Sequence, residues 1–237
     1  MPRSDHLHSG STAHAVIDVI ARTGRGLALA YPALASAPYR VFWGSTLISL
    51  TGMWMFSLAQ GWLVLSLTDS PLMLGLVGAC WAVPNLLLSL VGGVVADRMD
   101  RRRLLLVTRS ASLVLTAGLA YLIASGQVQV WHVFAFATIQ GGVAAFDMPT
   151  TQALVPTLVR PAAIGSAIAL MSASFNGTRI IGPSLAGVLV AEIGIAGCYA
   201  IAAASAVPVL IALLTIQPVT SVTRHSGSVL ASIREGF

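Results

Sequence analysis

Residues 72–106 read LMLGLVGACWAVPNLLLSLVGGVVADRMDRRRLLL. Twenty-five uncharged residues, Leu72 to Ala96, run into a seven-residue charged turn, Asp97 to Arg103, and the chain becomes apolar again at Leu104. As an α-helix, twenty-five residues extend about 37 Å at 1.5 Å per residue, more than the roughly 30 Å hydrocarbon core of a bilayer. The stretch reads as a membrane-crossing helix, a short charged hairpin and the start of a second crossing.

Composition extends that reading to the whole chain. Of 237 residues, 56% are apolar and 9% charged, against about 25% charged in soluble domains. A water-soluble globule of this make-up could not cover itself with polar surface. An outer-membrane barrel is excluded by the same pattern, because its strands are about ten residues of alternating polarity. The fold class is all-α integral membrane. All 13 basic residues are arginine, and the net charge of +5 is distributed as a topology signal, so no nucleic-acid partner is implied. Cys80 and Cys198 fall inside apolar runs with no second Cys or His at ligand spacing, so neither a metal nor a cofactor is expected.

Six spans follow from the apolar runs: about Val41 to Leu67, Leu72 to Ala96, Leu104 to Ala124, Trp131 to Pro149, Ile164 to Ala191 and Gly197 to Ile216. The predicted domains are a tail over 1–38, a six-helix bundle over 39–216 and a closing tail over 217–237. The first tail, with His6, His8 and His14, reads as mobile with a short surface helix around His14 to Leu29. Arg22 and Arg25 ahead of Ala35-Ser36-Ala37 have the outline of a cleavable signal, but Pro32 interrupts its apolar part. Pro84, Pro183 and Pro208 lie inside spans, where neighbouring helices satisfy the freed carbonyls.

Arginine sets the orientation. Four precede position 41, four sit in the second loop, Arg160 lies in the fourth, and Arg224 and Arg234 lie in the final tail; the first, third and fifth loops hold none. Eleven on one side against none on the other places both termini in the cytoplasm, in a plasma membrane. Arg109, two turns inside the third span, lies within reach of snorkelling to the cytoplasmic surface.

Residues three, four and seven apart share a helical face. On that spacing Gly78, Trp81, Asn85, Ser89 and Gly92 align in the second span, as do His132, Phe136, Gln140 and Asp147 in the fourth. Ser172, Asn176, Arg179 and Pro183 align in the fifth, and Met53, Ser57 and Gln60 in the first. Such groups either glue helices together by hydrogen bonds or border a polar cleft. Four aligned stripes point to a cleft lined by Gln60, Asn85, Gln140, Asn176 and Arg179. Arg179 lies about fifteen residues into its span, where a cation costs about 2.5–3.5 kcal/mol on insertion scales, so it needs a cavity or a partner.

The loop Gly93-Val94-Val95-Ala96-Asp97-Arg98-Met99-Asp100-Arg101-Arg102-Arg103 holds more than a topology signal requires. Asp97 can cap or pair locally, and Gly93 allows close helix approach. It resembles the loop between helices two and three of the major facilitator superfamily, Gly-x-x-x-Asp-Arg-x-Gly-x-Arg-Arg, with Asp100 in place of the second glycine. The variant is similar to the branch of transmembrane secretion effectors and enterobactin-exporter-like proteins, and the likeness covers about residues 39 to 237. Trp62 to Pro71, Asp147-Met148-Pro149 and Arg179-Ile180-Ile181-Gly182-Pro183 agree with it.

The resemblance implies one six-helix half of a twelve-helix exporter working by alternating access on a small amphipathic substrate, a drug-like compound or a siderophore, driven by an ion gradient. It implies a gating loop of Gly93, Asp97, Arg98, Arg101 and Arg102, and packing at Gly182, Pro183 and Gly187. Asp147 and Glu192 are its candidate coupling acids. Ala137 stands where proton-coupled members carry arginine, and Thr178 where the antiporter pattern has glycine. Because the family has twelve spans, the partner is a missing C-terminal half or, alternatively, a second copy in a homodimer. The tail Ser228 to Phe237 resembles the start of the linker helix between halves, so a fragment inactive alone is expected. A six-span membrane protease is the distant alternative, but no span holds Gly-x-Ser-Gly, and His132 starts its span at the outer surface; the chain is not expected to be an enzyme.

Reporter fusions test the orientation: those after Ser70, Ser125 and Gly194 should read outside and those after Arg103 and Arg160 inside. One reversed loop overturns it.

Overall fold

The computed structural model describes residues 31–216, all helices and turns with no strand among them. The predicted tail through residue 30 and the closing tail 217–237 lie outside the described residues. Six helices follow one another: α1 (Ala37–Thr68), α2 (Pro71–Arg98), α3 (Arg101–Ala124), α4 (Val130–Leu154), α5 (Ile164–Ala204) and α6 (Val207–Thr215). Short 3-10 turns occupy Pro32–Ala35, Val155–Leu158 and Pro161–Ala163.

Local chemistry sets the boundaries. α1 stops where Asp69 turns left-handed (φ 48°) with its N–H on the Leu65 carbonyl, a conformation that Asp tolerates better than most residues. Pro71 then opens α2 at a position that needs no N–H donor. Asp100 caps α3, accepting a hydrogen bond from the Arg103 N–H at 2.9 Å. The end of α3 is a Schellman turn: Gly126 has φ 70°, Gln127 N–H donates to Leu122 O and Gly126 N–H to Ile123 O. Gln129 and His132 form a reciprocal cap at the start of α4.

Inside α5, Gly194 has φ 74° and ψ 176°, a region essentially reserved for glycine. The chain reverses there. Ala167, early in α5, packs in one apolar cluster with Val209, Ala212 and Leu213 of α6, while Ala186 packs in the other with Cys198 and Tyr199. The first cluster also holds Tyr39, Phe42, Leu105, Leu154 and Leu158, and the second holds Leu63, Val77, Leu119, Val133 and Phe136. Among the described residues the chain therefore passes six times between two clusters, one at the end that carries Arg101 to Arg103 and one at the opposite end.

By length and apolarity alone, four helical stretches suffice to cross a membrane: α1, α2, α3 and the run Pro161–Thr215. That differs from six separate apolar spans for two reasons. Gln140, Asp147, Thr150 and Thr151 dilute α4, and the last two passes form one helical run bent at Gly194 and at Ser205–Ala206. Pro208 sits at the start of α6, so it begins a helix and does not kink one. The first-tail boundary is also corrected. Pro32–Ala35 belongs to the bundle, with Ala33 fully buried, its N–H on Ser166 Oγ at 3.4 Å and Ser36 Oγ donating to Leu158 O.

Glycine lets the helices pair closely. Gly92 of α2 lies against the Ala145 carbonyl of α4, and Gly141 of α4 against the Trp81 carbonyl of α2. Pro149 removes the N–H that would have bonded Ala145 O, so the carbonyl facing Gly92 is one that its own helix leaves open, suited to a Cα–H contact. Gly182 of α5 abuts Trp54 and the Thr51 carbonyl of α1, and Gly52 of α1 abuts Ser205 and the Ala202 carbonyl. Two expected packing glycines differ: Gly93 and Gly187 have nothing near a Cβ position. The close approach is made one residue earlier, at Gly92, because that position faces α4. α2 is otherwise little covered, with only Val77, Gly92 and Ala96 buried and Leu72, Leu86, Leu87 and Leu90 exposed.

Gly141→Ala should cost about 1–3 kcal/mol by overpacking against backbone, whereas Gly187→Ala should stabilise by up to about 1 kcal/mol through helix propensity. Unfolding of both variants in detergent checks this. Equal midpoints would overturn the assignment of Gly141 as a contact glycine.

Candidate functional site

Arg109 and Arg179 lie more than two turns from either end of their passes, and the structure treats them differently. Arg109, in the third turn of α3, forms an ion pair with Asp147 of α4, Nη2 to Oδ2 at 2.8 Å. Thr108 Oγ1 donates to Asp147 Oδ1 at 2.8 Å, so both carboxylate oxygens are engaged. Arg109 further reaches Ser49 Oγ of α1 at 3.4 Å and Thr151 Oγ1 of α4 at 3.5 Å. Side-chain exposures of 16% and 17% mark the pair as largely enclosed. Arg109 thus does not snorkel to the surface: an opposite charge at the same depth on a neighbouring antiparallel helix offers more than a stretched path to water. Asp147, a candidate coupling acid, is the anchor of this network. Glu192, the other candidate, is exposed two residues before the Gly194 reversal.

Arg179 has no such partner. It lies fifteen residues from Ile164 and fifteen from Gly194, midway along its pass. Its guanidinium carbon sits 5.6 Å from the ring centroid of Trp54 in α1, within cation–π range. Trp54 meets Phe175 edge-on at 5.5 Å. Asn176, one turn before Arg179, donates to Ser172 O at 2.8 Å and is exposed, as Arg179 is. Among the described residues no hydrogen bond or ion pair reaches the guanidinium. Pro183 lies four residues on, so the Arg179 carbonyl lacks its helical N–H donor.

The remaining polar stripe divides. Gln140 turns toward α3, donating from Nε2 to Ser112 Oγ at 3.2 Å, with Oε1 buried and without a partner among the described residues. Gln60 and Asn85 are half-buried on α1 and α2 and form no side-chain hydrogen bond among the described residues. Asn176 and Arg179 share one open face of α5, while Gln140 serves as a strut between α3 and α4.

In the hairpin the cap is Asp100, not Asp97. Asp97 is exposed and borders a groove of about 510 Å³ with Arg101, Ala153, Pro156 and Ile164. Arg101 Nη1 donates to Ala153 O at 3.1 Å, near the end of α4. Arg102 donates to the Leu213 and Leu214 carbonyls, near the end of α6, where a cation also complements the helix dipole. Arg98 is exposed. The hairpin arginines therefore fasten two helix ends at one end of the bundle. No cluster of His, Cys, Asp and Glu suited to a metal occurs among the described residues.

Comparison with known proteins places this architecture. The profile of the transmembrane secretion effector family matches residues 28–236. The chain belongs to that family of the major facilitator superfamily. It is 34% identical over 153 residues to the staphyloferrin A transporter of Staphylococcus aureus, covering 64% of this chain and 38% of that protein. It is 27% identical over 152 residues to the MFS-type transporter YfiS of Bacillus subtilis, covering 64% of this chain and 35% of that protein. To the enterobactin exporter EntS of Salmonella typhimurium it is 28% identical over 127 residues, 54% of this chain and 31% of that protein. The match spans about a third of the length of these curated relatives. The family and these relatives are transporters, not enzymes, and the chain is a multi-pass membrane protein of a small-molecule transporter family.

Sequence reading named Arg109 and Asp147 separately and did not join them. The signal was present: Arg109 is eight residues after Arg101 and Asp147 seven before Leu154, so antiparallel helices bring them to one depth. Trp54 was missed outright, because an aromatic residue in an apolar span carries no mark of what crosses it.

Asp147→Ala leaves a largely enclosed cation without its carboxylate and should destabilise the bundle by up to about 3 kcal/mol, the lower end of the range for a buried pair. Arg109→Ala together with Asp147→Ala should recover most of that loss. Unfolding in detergent reads both, and an additive double variant would show that the pair is not coupled.

Proposed function

We propose that this chain forms one six-helix half of a facilitator-type exporter, crossing the plasma membrane six times with both termini cytoplasmic. It moves a small amphipathic molecule by alternating access, driven by an ion gradient. The siderophore transporters among its relatives make a siderophore the leading cargo class. The observation that carries the reading is Arg179, an exposed cation midway along the first pass of α5 with no ion-pair or hydrogen-bond partner among the described residues. Facing lipid, it would bear the full cost of a charge in hydrocarbon; facing a water-filled cleft, it would not. Substrate sites in this class lie near the midplane between repeats.

The uncovered faces of α2 support a second bundle opposite this one, either a C-terminal half or another copy. In this reading the hairpin Gly93 to Arg103 closes the cytoplasmic side, with Asp97 and Arg98 exposed toward that second bundle. Asp147 and Glu192 remain the chain's own candidates for ion coupling, Asp147 acting only if its pair with Arg109 opens.

Energised inside-out vesicles test this with a panel of siderophores and amphipathic dyes. The chain together with a complementary six-helix half should accumulate at least one of them, and Asp97→Ala should reduce that accumulation about tenfold while membrane levels hold. Accumulation by the chain alone would assign a self-sufficient homodimer, and none in either arrangement would overturn transport. Unchanged accumulation with Asp97→Ala would leave the hairpin as a topology signal only.

A further inference from the structure

We infer that Trp54 and Arg179 together form a subsite for a planar carboxylate carried by the ligand. The inference rests on the cleft reading of Arg179 and adds the chemistry that the cleft selects. A guanidinium uses two perpendicular directions. Its faces stack on aromatic rings, and its N–H groups donate within its own plane in a fork that matches the two oxygens of a carboxylate. Here Trp54 meets the guanidinium in a cation–π contact, 5.6 Å from ring centroid to guanidinium carbon, which takes up no hydrogen bond. Among the described residues the N–H fork has no hydrogen-bond partner.

The surroundings hold that arrangement and make it selective. Phe175 packs edge-on against Trp54 at 5.5 Å and 66°, fixing the floor on which the guanidinium rests. Trp54 Nε1 is buried with no partner among the described residues, so the indole is held by packing. Gly182 brings α5 against Trp54 itself, which sets the separation of the two elements that supply the platform. The same features contrast with Arg109, whose fork is filled by Asp147, Ser49 and Thr151. One arginine is built into the protein, and the other is left to meet a ligand. An aromatic floor beside an in-plane fork favours an acid whose carboxylate is conjugated to, or close to, a flat apolar group. Cationic amphiphiles are repelled by the fork, and neutral ones gain only a weaker hydrogen bond without charge on the acceptor.

Benzoate and benzamide share shape and differ in charge, so they separate the fork from the floor. Binding of each to the full chain in detergent is measured by calorimetry for the native chain, Arg179→Gln, Arg179→Lys and Trp54→Leu, with size-exclusion profiles confirming folded protein. The native chain should prefer benzoate over benzamide by about tenfold or more. Arg179→Gln should bring the two within about twofold, Arg179→Lys should keep a reduced preference, and Trp54→Leu should weaken both several-fold. Equal binding of the two compounds by the native chain, or an undiminished preference in Arg179→Gln, overturns the subsite. Because binding in detergent does not require transport, failed transport with the preference intact sinks only the exporter reading. Transport without the preference sinks only the subsite.

Discussion

Backbone-to-backbone contact at four glycines sets the geometry on which the rest of this protein depends. Where Gly92 and Gly141 join α2 to α4, and Gly52 and Gly182 join α1 to both passes of the bent α5, a side chain would force the helices apart. In an apolar medium there is no water to expel between helices, so close packing and interhelical polar contacts must supply the association. Proline contributes indirectly. By removing its own N–H, Pro149 opens the Ala145 carbonyl that Gly92 meets, so a break in one helix's hydrogen bonding becomes a contact for its neighbour.

The charged residues divide along that frame. Arg109 and Asp147 are enclosed, mutually paired and further held by Thr108, Ser49 and Thr151, which ties α1, α3 and α4 together near one end. The hairpin arginines add fastenings at the same end, onto the closing carbonyls of α4 and α6. Polar connections are thus concentrated where the Arg-rich hairpin lies, while the opposite cluster, around Phe136, Leu63 and Tyr199, is held by apolar packing.

Arg179 differs because its neighbours are aromatic and its fork is left open. Trp54 reaches it only because Gly182 allows α1 and α5 to meet at mid-depth. A packing glycine three residues from an arginine therefore decides what that arginine rests on. In the same helix, Pro183 leaves the Arg179 carbonyl without its usual donor, and Gly194 turns the chain back.

Much of the helical layout is legible in the residues themselves, since run length, the Asp69–Pro71 turn, the Asp97 to Arg103 hairpin and the arginine distribution act locally or through the membrane. The sequence by itself determined that the chain is a helical membrane protein, roughly where its helices turn, and which facilitator-type loop joins α2 to α3. Only the tertiary structure decided which charges pair, which glycines touch and which stripe residues share an open face. Helical spacing places Gln140, Asn176 and Arg179 on the faces of their own helices, but not those faces against one another. Gln140 turned to Ser112, Asp147 to Arg109, and Gly92 replaced Gly93 as the contact. The physical reason is that each of these depends on the rotation and depth of one helix relative to another, and those are fixed by packing across the bundle, which no single segment contains.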